Sequence, residues 1–278
     1  MKKGQKAAPP LRFSFSTNDD QTRGRRLTFS VLERDVDKTT RYFAILPERV
    51  GCITVSFDPR PGSHDHVAVI QSIQHDTECA QEGLPKKYGT RAMILGALNA
   101  LKDISRERYP HLQTIELNDE AAYPCPPYAV SEDDKIKTFA TDLLLRGETY
   151  YERYLRVKPC KQMVSDVVSD VKARVSKRSD VSFSDFWNTM VGELAIDPKR
   201  KPEEVDWLYQ HENEVRDLFH KHGPDSWRAF FQALFKKYNC TFFACCWWRL
   251  CIFFNMTRLV GATWYVSFAD LPKREYRV

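Results

Sequence analysis

The sequence predicts an α/β (α+β) protein: a mixed sheet with flanking helices, followed by a mainly helical C-terminal domain. Residues 11–57 hold four short runs rich in β-branched and aromatic side chains, divided by turn-rich segments. Strand and helix patterns then alternate over residues 66–155, and beyond Lys158 the apolar spacing becomes helical.

MKKGQKAAPP (1–10) reads as a flexible, basic lead. LRFSFS (11–16), LTFSVLE (27–33), TRYFAIL (40–46) and GCITVSF (51–57) are strand-like, and their short linkers favour antiparallel hairpins. VAVIQSI (67–73) is a further strand. After the polar loop 75–90, RAMILGALNALKDI (91–104) places Ile94, Ala97, Leu98, Leu101 and Ile104 on one helical face. LQTIELND (112–119) is again strand-like. The prolines of EAAYPCPPYAVSEDD (120–134) exclude a helix through its middle, so it is a lid-like loop or insertion. A helix from Ile136 stops near Gly147 and restarts as TYYERYL (149–155), which completes an α/β domain over 11–158.

KPCK (158–161) marks the boundary to a helical domain, 159–278. Val164, Val167, Val168, Val171 and Val175 form one stripe. FSDFWNTMVGEL (183–194) and EEVDWLYQHENEVRDLFHKH (203–222) are the next helices. In SWRAFFQALFKKY (226–238), Trp227, Phe230, Phe231, Leu234 and Phe235 keep helical spacing. ATWYVSF (262–268) ends the chain's pattern as a strand or hairpin. The aromatic density of this half exceeds what short helices are expected to hide alone, so it should pack on the first domain or on a protein partner.

At 278 residues, with 42% hydrophobic and 28% charged content, the chain has ordinary globular proportions and room for two cores. A net charge of +5 is too mild to demand nucleic acid, and the basic residues are scattered without an aromatic platform. The eight cysteines form no CxxC pair, and the first residues lack a secretory apolar core. The thiols are therefore expected to be free in a reducing, intracellular compartment. TFFACCWWRLCIFF (241–254) contains Arg249 and falls short of the roughly 20 apolar residues of a membrane span. It reads as core, either a strand or a short helix.

Gly89 and two lysines precede the helix in the strand–loop–helix–strand unit. The free N–H groups and dipole of a helix N-terminus favour anions, so Lys86, Lys87, Tyr88, Gly89 and Thr90 are candidate phosphate-binding residues. The bland alternative is a turn glycine with solvated lysines. His75 and Glu116 are candidate general bases at strand ends, and the alternative for His75 is a loop histidine facing water. His64-Asp65-His66 lies on an extended segment whose neighbours point to opposite faces, so no metal is expected.

The order of strands, the LPKKYGTRAMI loop (84–94) and Tyr151-Glu152-Arg153 resemble the GNAT N-acetyltransferase superfamily. In that family the sheet splays beside one strand, and acetyl-CoA enters the gap with its pyrophosphate on a glycine-containing loop. Aligning Gly89 with the first family glycine puts Lys86 at the Gln/Arg position and Arg91 at the second small-residue position, a departure from the pattern. The resemblance implies acetyl-CoA as cosubstrate, an amine acceptor on a small molecule or protein, and Tyr151 as the acid that returns a proton to the thiolate. Residues 27–157 also look like those of uncharacterised proteins of large nucleocytoplasmic DNA viruses with a GNAT-like core. That resemblance implies architecture more than activity. A catalytically inactive structural or protein-interaction scaffold is therefore the alternative reading.

Overall fold

Short linkers favour hairpins, and the first five strands of the computed structural model follow that rule. The structure describes residues 11–17, 26–35, 41–46, 53–57, 66–73, 94, 98–99, 101–103, 105–118, 122–123, 125, 136–191, 202–271 and 276–277. β1 (Leu11–Thr17), β2 (Arg26–Asp35), β3 (Arg41–Leu46), β4 (Ile53–Phe57) and β5 (Val67–Ile73) pair in succession, all antiparallel. Helix α1, described at 94, 98–99, 101–103 and 105–108, leads to β6 (Thr114–Asn118), which is parallel to β5. A tight turn cannot join parallel strands, so a helix makes the connection.

The chain folds as two compact units, and the first comprises Met1–Asn118, Tyr154–Val157 and Trp264–Val278. With β10 (Thr263–Ser267) and β11 (Tyr276–Arg277), its strands lie in the order β11-β1-β2-β3-β4-β5-β6-β10. Ala68, Ile70, Ile115 and Leu117 are buried, while Val67, Val69, Thr114 and Glu116 between them are half-buried, the period-2 alternation of a sheet. Ile94, Leu98 and Leu101 of α1 are buried as their helical spacing requires.

The second unit comprises Asp119–Arg153 and Lys158–Thr263. A small antiparallel pair, β7 (Ala122–Tyr123) and β8 (Ile136–Lys137), opens it. Then come α2 (Thr138–Arg146), α3 (Tyr150–Leu155), β9 (Lys158–Pro159), α4 (Gln162–Val175), α5 (Phe183–Val191), α6 (Pro202–His222), α7 (Trp227–Tyr238) and α8 (Thr241–Phe253). The five stripe valines of α4 are all buried, and Ser226 caps α7 by accepting from the Ala229 N–H at 3.0 Å. The apolar run 241–254 is a helix, α8. No helix among the described residues is long and apolar enough to cross a membrane.

The chain passes between the units at four places, and besides the break at Lys158 the second unit takes in Asp119–Arg153, which holds α2. Phe139, Ala140, Leu143, Leu144 and Leu145 of α2 are all buried, and a helix apolar on most sides needs cover from several neighbours. α4, α7 and α8 provide it. At the other end, β10 and β11 return to the sheet of the first unit. The aromatics of the helical unit pack on one another. The Phe186 ring lies 5.3–5.8 Å, centroid to centroid, from Trp227, Phe230, Phe253 and Phe219. An outside surface is therefore not required to hide these rings.

The expectation of free thiols fails for one pair of cysteines. Cys125 and Cys240 form a disulfide, with Cα atoms 5.9 Å apart across 115 positions of sequence. That separation lies within bridging range, but it is a product of tertiary packing and leaves no mark in cysteine spacing. Cys160, Cys245, Cys246 and Cys251 are thiols. Cys52 and Cys79 lie outside the described residues.

Candidate functional site

The parallel β5–β6 pair has its aligned register from Val67↔Thr114 to Ile70↔Leu117. β5 continues to Ile73 and stays paired with β4 through Thr54↔Ser72 and Ile53↔Ile73. On that side the register shifts between Thr54 and Val55, since Val55 faces Ile70 while Thr54 faces Ser72. Gln71 is thus the extra residue of a β-bulge. A bulge bends its strand and steepens the twist, and this one sits at the step after the last β5–β6 alignment.

Glu116 lies on β6 in register with Val69, half-buried, and two residues before the strand ends. It belongs to the first unit. His75 and the whole Lys86, Lys87, Tyr88, Gly89 and Thr90 loop lie outside the described residues. His66 is described, and its Nδ1 is 2.9 Å from the His111 carbonyl, where the ring N–H donates. Among the described residues no group of three His, Cys, Asp or Glu side chains is assembled to hold a metal ion.

Tyr151-Glu152-Arg153 has a local explanation that its sequence also carries. Thr149 Oγ1 accepts from the Glu152 N–H at 3.2 Å, and Glu152 Oε2 accepts from the Thr149 N–H at 2.9 Å. This is a capping box, for which Thr-x-x-Glu is the sequence signature. The other carboxylate oxygen of Glu152 takes the Lys172 ammonium at 2.7 Å, and Arg153 Nε donates to Glu148 at 2.6 Å. Tyr151 falls in the first turn of α3, half-buried, with the Tyr150 ring edge-on at 5.6 Å. It belongs to the second unit.

The titrating groups with displaced pKa values lie elsewhere in the second unit. Burial raises the Asp142 carboxyl above its ordinary range, partly opposed by Arg146, Arg153 and a hydrogen bond from the Tyr150 backbone. Burial, then a hydrogen bond to Glu214, pushes the Tyr238 phenol up to about 12. Glu214 also accepts from Lys237 at 2.6 Å, and these two hydrogen bonds hold its carboxyl below the usual range. Burial alone pushes the Cys251 thiol up to about 12, so it is a packed thiol with no nucleophilic character at neutral pH.

Comparison of the chain with protein-family models, curated proteins and solved structures returns no match in any of the three. Function must therefore rest on geometry and chemistry.

Proposed function

We propose that the first unit is a GNAT-like domain that takes acetyl-CoA and transfers its acetyl group to an amine. The bulge at Gln71, one step beyond the last alignment of β5 with β6, carries this reading. It bends β5 where an opening between the two parallel strands would begin, and ligands of α/β sheets gather outside the carboxyl ends of such strands. Glu116 is the described candidate base near that end. In the reaction, the amine attacks the thioester carbonyl, a C–N bond forms and the C–S bond breaks. The amine proton passes to the base, and the leaving CoA thiolate takes up a proton from solvent. Lys86 to Thr90 hold the pyrophosphate.

Calorimetric titration of the full chain with acetyl-CoA tests the proposal. Binding that Lys86→Glu weakens supports it, and absence of binding at about 1 mM ligand removes it.

The second reading is a scaffold of the same fold without the reaction. Trp248 and Ile252, one turn apart on α8, are 45% and 48% exposed, which favours a protein partner for the helical unit. Acetyl transfer to an amine, which the scaffold lacks, separates the two readings.

A further inference from the structure

On α2, Thr138, Thr141, Asp142 and Leu145 recur at i, i+3, i+4 and i+7, so one face carries two hydroxyls, a carboxyl and an apolar side chain. Gln232, Phe235 and Lys236 stand at i, i+3 and i+4 on α7. These two stripes and Arg146 line a cleft of about 410 Å³. Small-molecule sites commonly measure about 300–1,000 Å³.

The walls are tied together. Gln232 Nε2 donates to the Leu145 carbonyl at 2.8 Å, and the Gly147 N–H closes α2 on the Leu143 carbonyl at 2.9 Å. Asp142 is 8% exposed, accepts a hydrogen bond from the Tyr150 backbone and has Arg146 at 3.5 Å. Burying a carboxylate is costly to the fold, and a buried carboxyl with a displaced pKa in a cleft is a candidate binding group. The raised pKa of Asp142 reports the same cost. Arg146 and Lys236 place exposed cations on opposite walls, while Leu145 and Phe235 contribute apolar surface between the helices.

An anion alone would draw Arg146 away from Asp142, its ion-pair partner at 3.5 Å, and a cation alone would face Arg146 and Lys236. Complementarity therefore requires both charges on one small molecule. We infer that the α2–α7 cleft binds a small organic zwitterion. Its anionic group sits between Arg146 and Lys236, its ammonium meets Asp142, and its carbon chain lies on Leu145 and Phe235. This site stands apart from the acyl-transfer reading and does not depend on it.

The test uses the full chain and two zwitterionic probes, phosphoethanolamine and γ-aminobutyrate, with ethyl phosphate, butyrate and ethylamine as single-charge controls. Titrations followed by amide chemical shifts of α2 and α7 should show one zwitterion binding with a Kd of about 1 mM or tighter. Each control should bind at least about tenfold more weakly. Lys236→Gln, a change at an exposed position, should weaken the zwitterion several-fold, and Asp142→Asn should abolish its advantage over the anionic control. Should Asp142→Asn fail to fold, Lys236→Gln decides. Neither probe binding by about 10 mM, a control binding as well as its zwitterion, or unchanged binding in Lys236→Gln would each overturn the inference.

Discussion

Thr149 and Glu152 close the N-terminus of α3 with two reciprocal hydrogen bonds, and Glu152 also holds Lys172 of α4 at 2.7 Å. Glu152→Ala should therefore cost about 1–2 kcal/mol, read as a lower denaturation midpoint. An unchanged midpoint would contradict the capping assignment. The neighbouring Tyr151 separates chemistry from packing. If its phenol is the acid, Tyr151→Phe lowers acetyl transfer by about 10²-fold while the melting temperature stays put. Retained turnover sinks that role. Asp142 makes the third prediction at this scale. Burial raises its folded pKa above the ordinary value of 3.8, so the folded state holds a proton more tightly than the unfolded one. Its stabilising contribution is complete below 3.8 and disappears as pH rises through the raised value. Melting curves across acid pH should show this loss in the native protein. In Asp142→Asn that slope should vanish, and an identical slope in both would disprove the linkage. The Thr-x-x-Glu signature spans only four residues, yet the family resemblance drew Tyr151-Glu152-Arg153 into a catalytic role instead. The environment of Asp142 was not legible in the sequence, because burial is a property of the packed unit and not of spacing along α2.

α2 ends where a single glycine permits it. Gly147 has φ +75°, and a Cβ there would overlap the guanidinium of Arg228. Gly147→Ala should destabilise by about 1–2 kcal/mol from the left-handed backbone alone, with the displacement of Arg228 added. A melting temperature equal to that of the native protein would show that the turn relaxes. The stop at Gly147 and the valine stripe of α4 could be read from spacing, since each is a short-range pattern. α8 could not be classified in that way. Apolar side chains surround it on nearly every side, so neither period 2 nor period 3.6 stands out. Arg174 donates to the Phe253 carbonyl at 2.6 Å, and its guanidinium lies 4.5 Å from the Phe253 ring centroid.

At the scale of the molecule, α2 and Cys125 belong with the helices that follow them. A fragment of residues 160–263 lacks both and should not melt cooperatively, whereas 119–263 should. Equal cooperativity of the two fragments would refute the assignment of 119–153 to the helical unit. Reduction, or Cys125→Ser, should destabilise that unit by about 2–4 kcal/mol, because the bridge closes a long loop of the unfolded chain. The aromatic cluster around Phe186 supplies the remaining cohesion, and Trp227, Phe230, Phe231, Phe242, Phe243 and Phe254 are all fully buried.

The sequence by itself determined what short-range patterns can encode: the antiparallel run β1–β4, the helical crossover from β5 to β6, the stop at Gly147 and the order of the later helices. Hairpin linkers, alternation and helical spacing act within a few residues, so they survive without a partner. Tertiary structure alone decided the Cys125–Cys240 pairing, the transfer of α2 to the helical unit and the return of β10 and β11 to the first sheet. It also decided which polar side chains share the α2–α7 cleft. Each of these joins positions far apart in the chain, and the physical reason is the same throughout. Apolar faces that cannot be covered locally are buried by whichever distant element fits them, and the polar groups beside those faces are carried along.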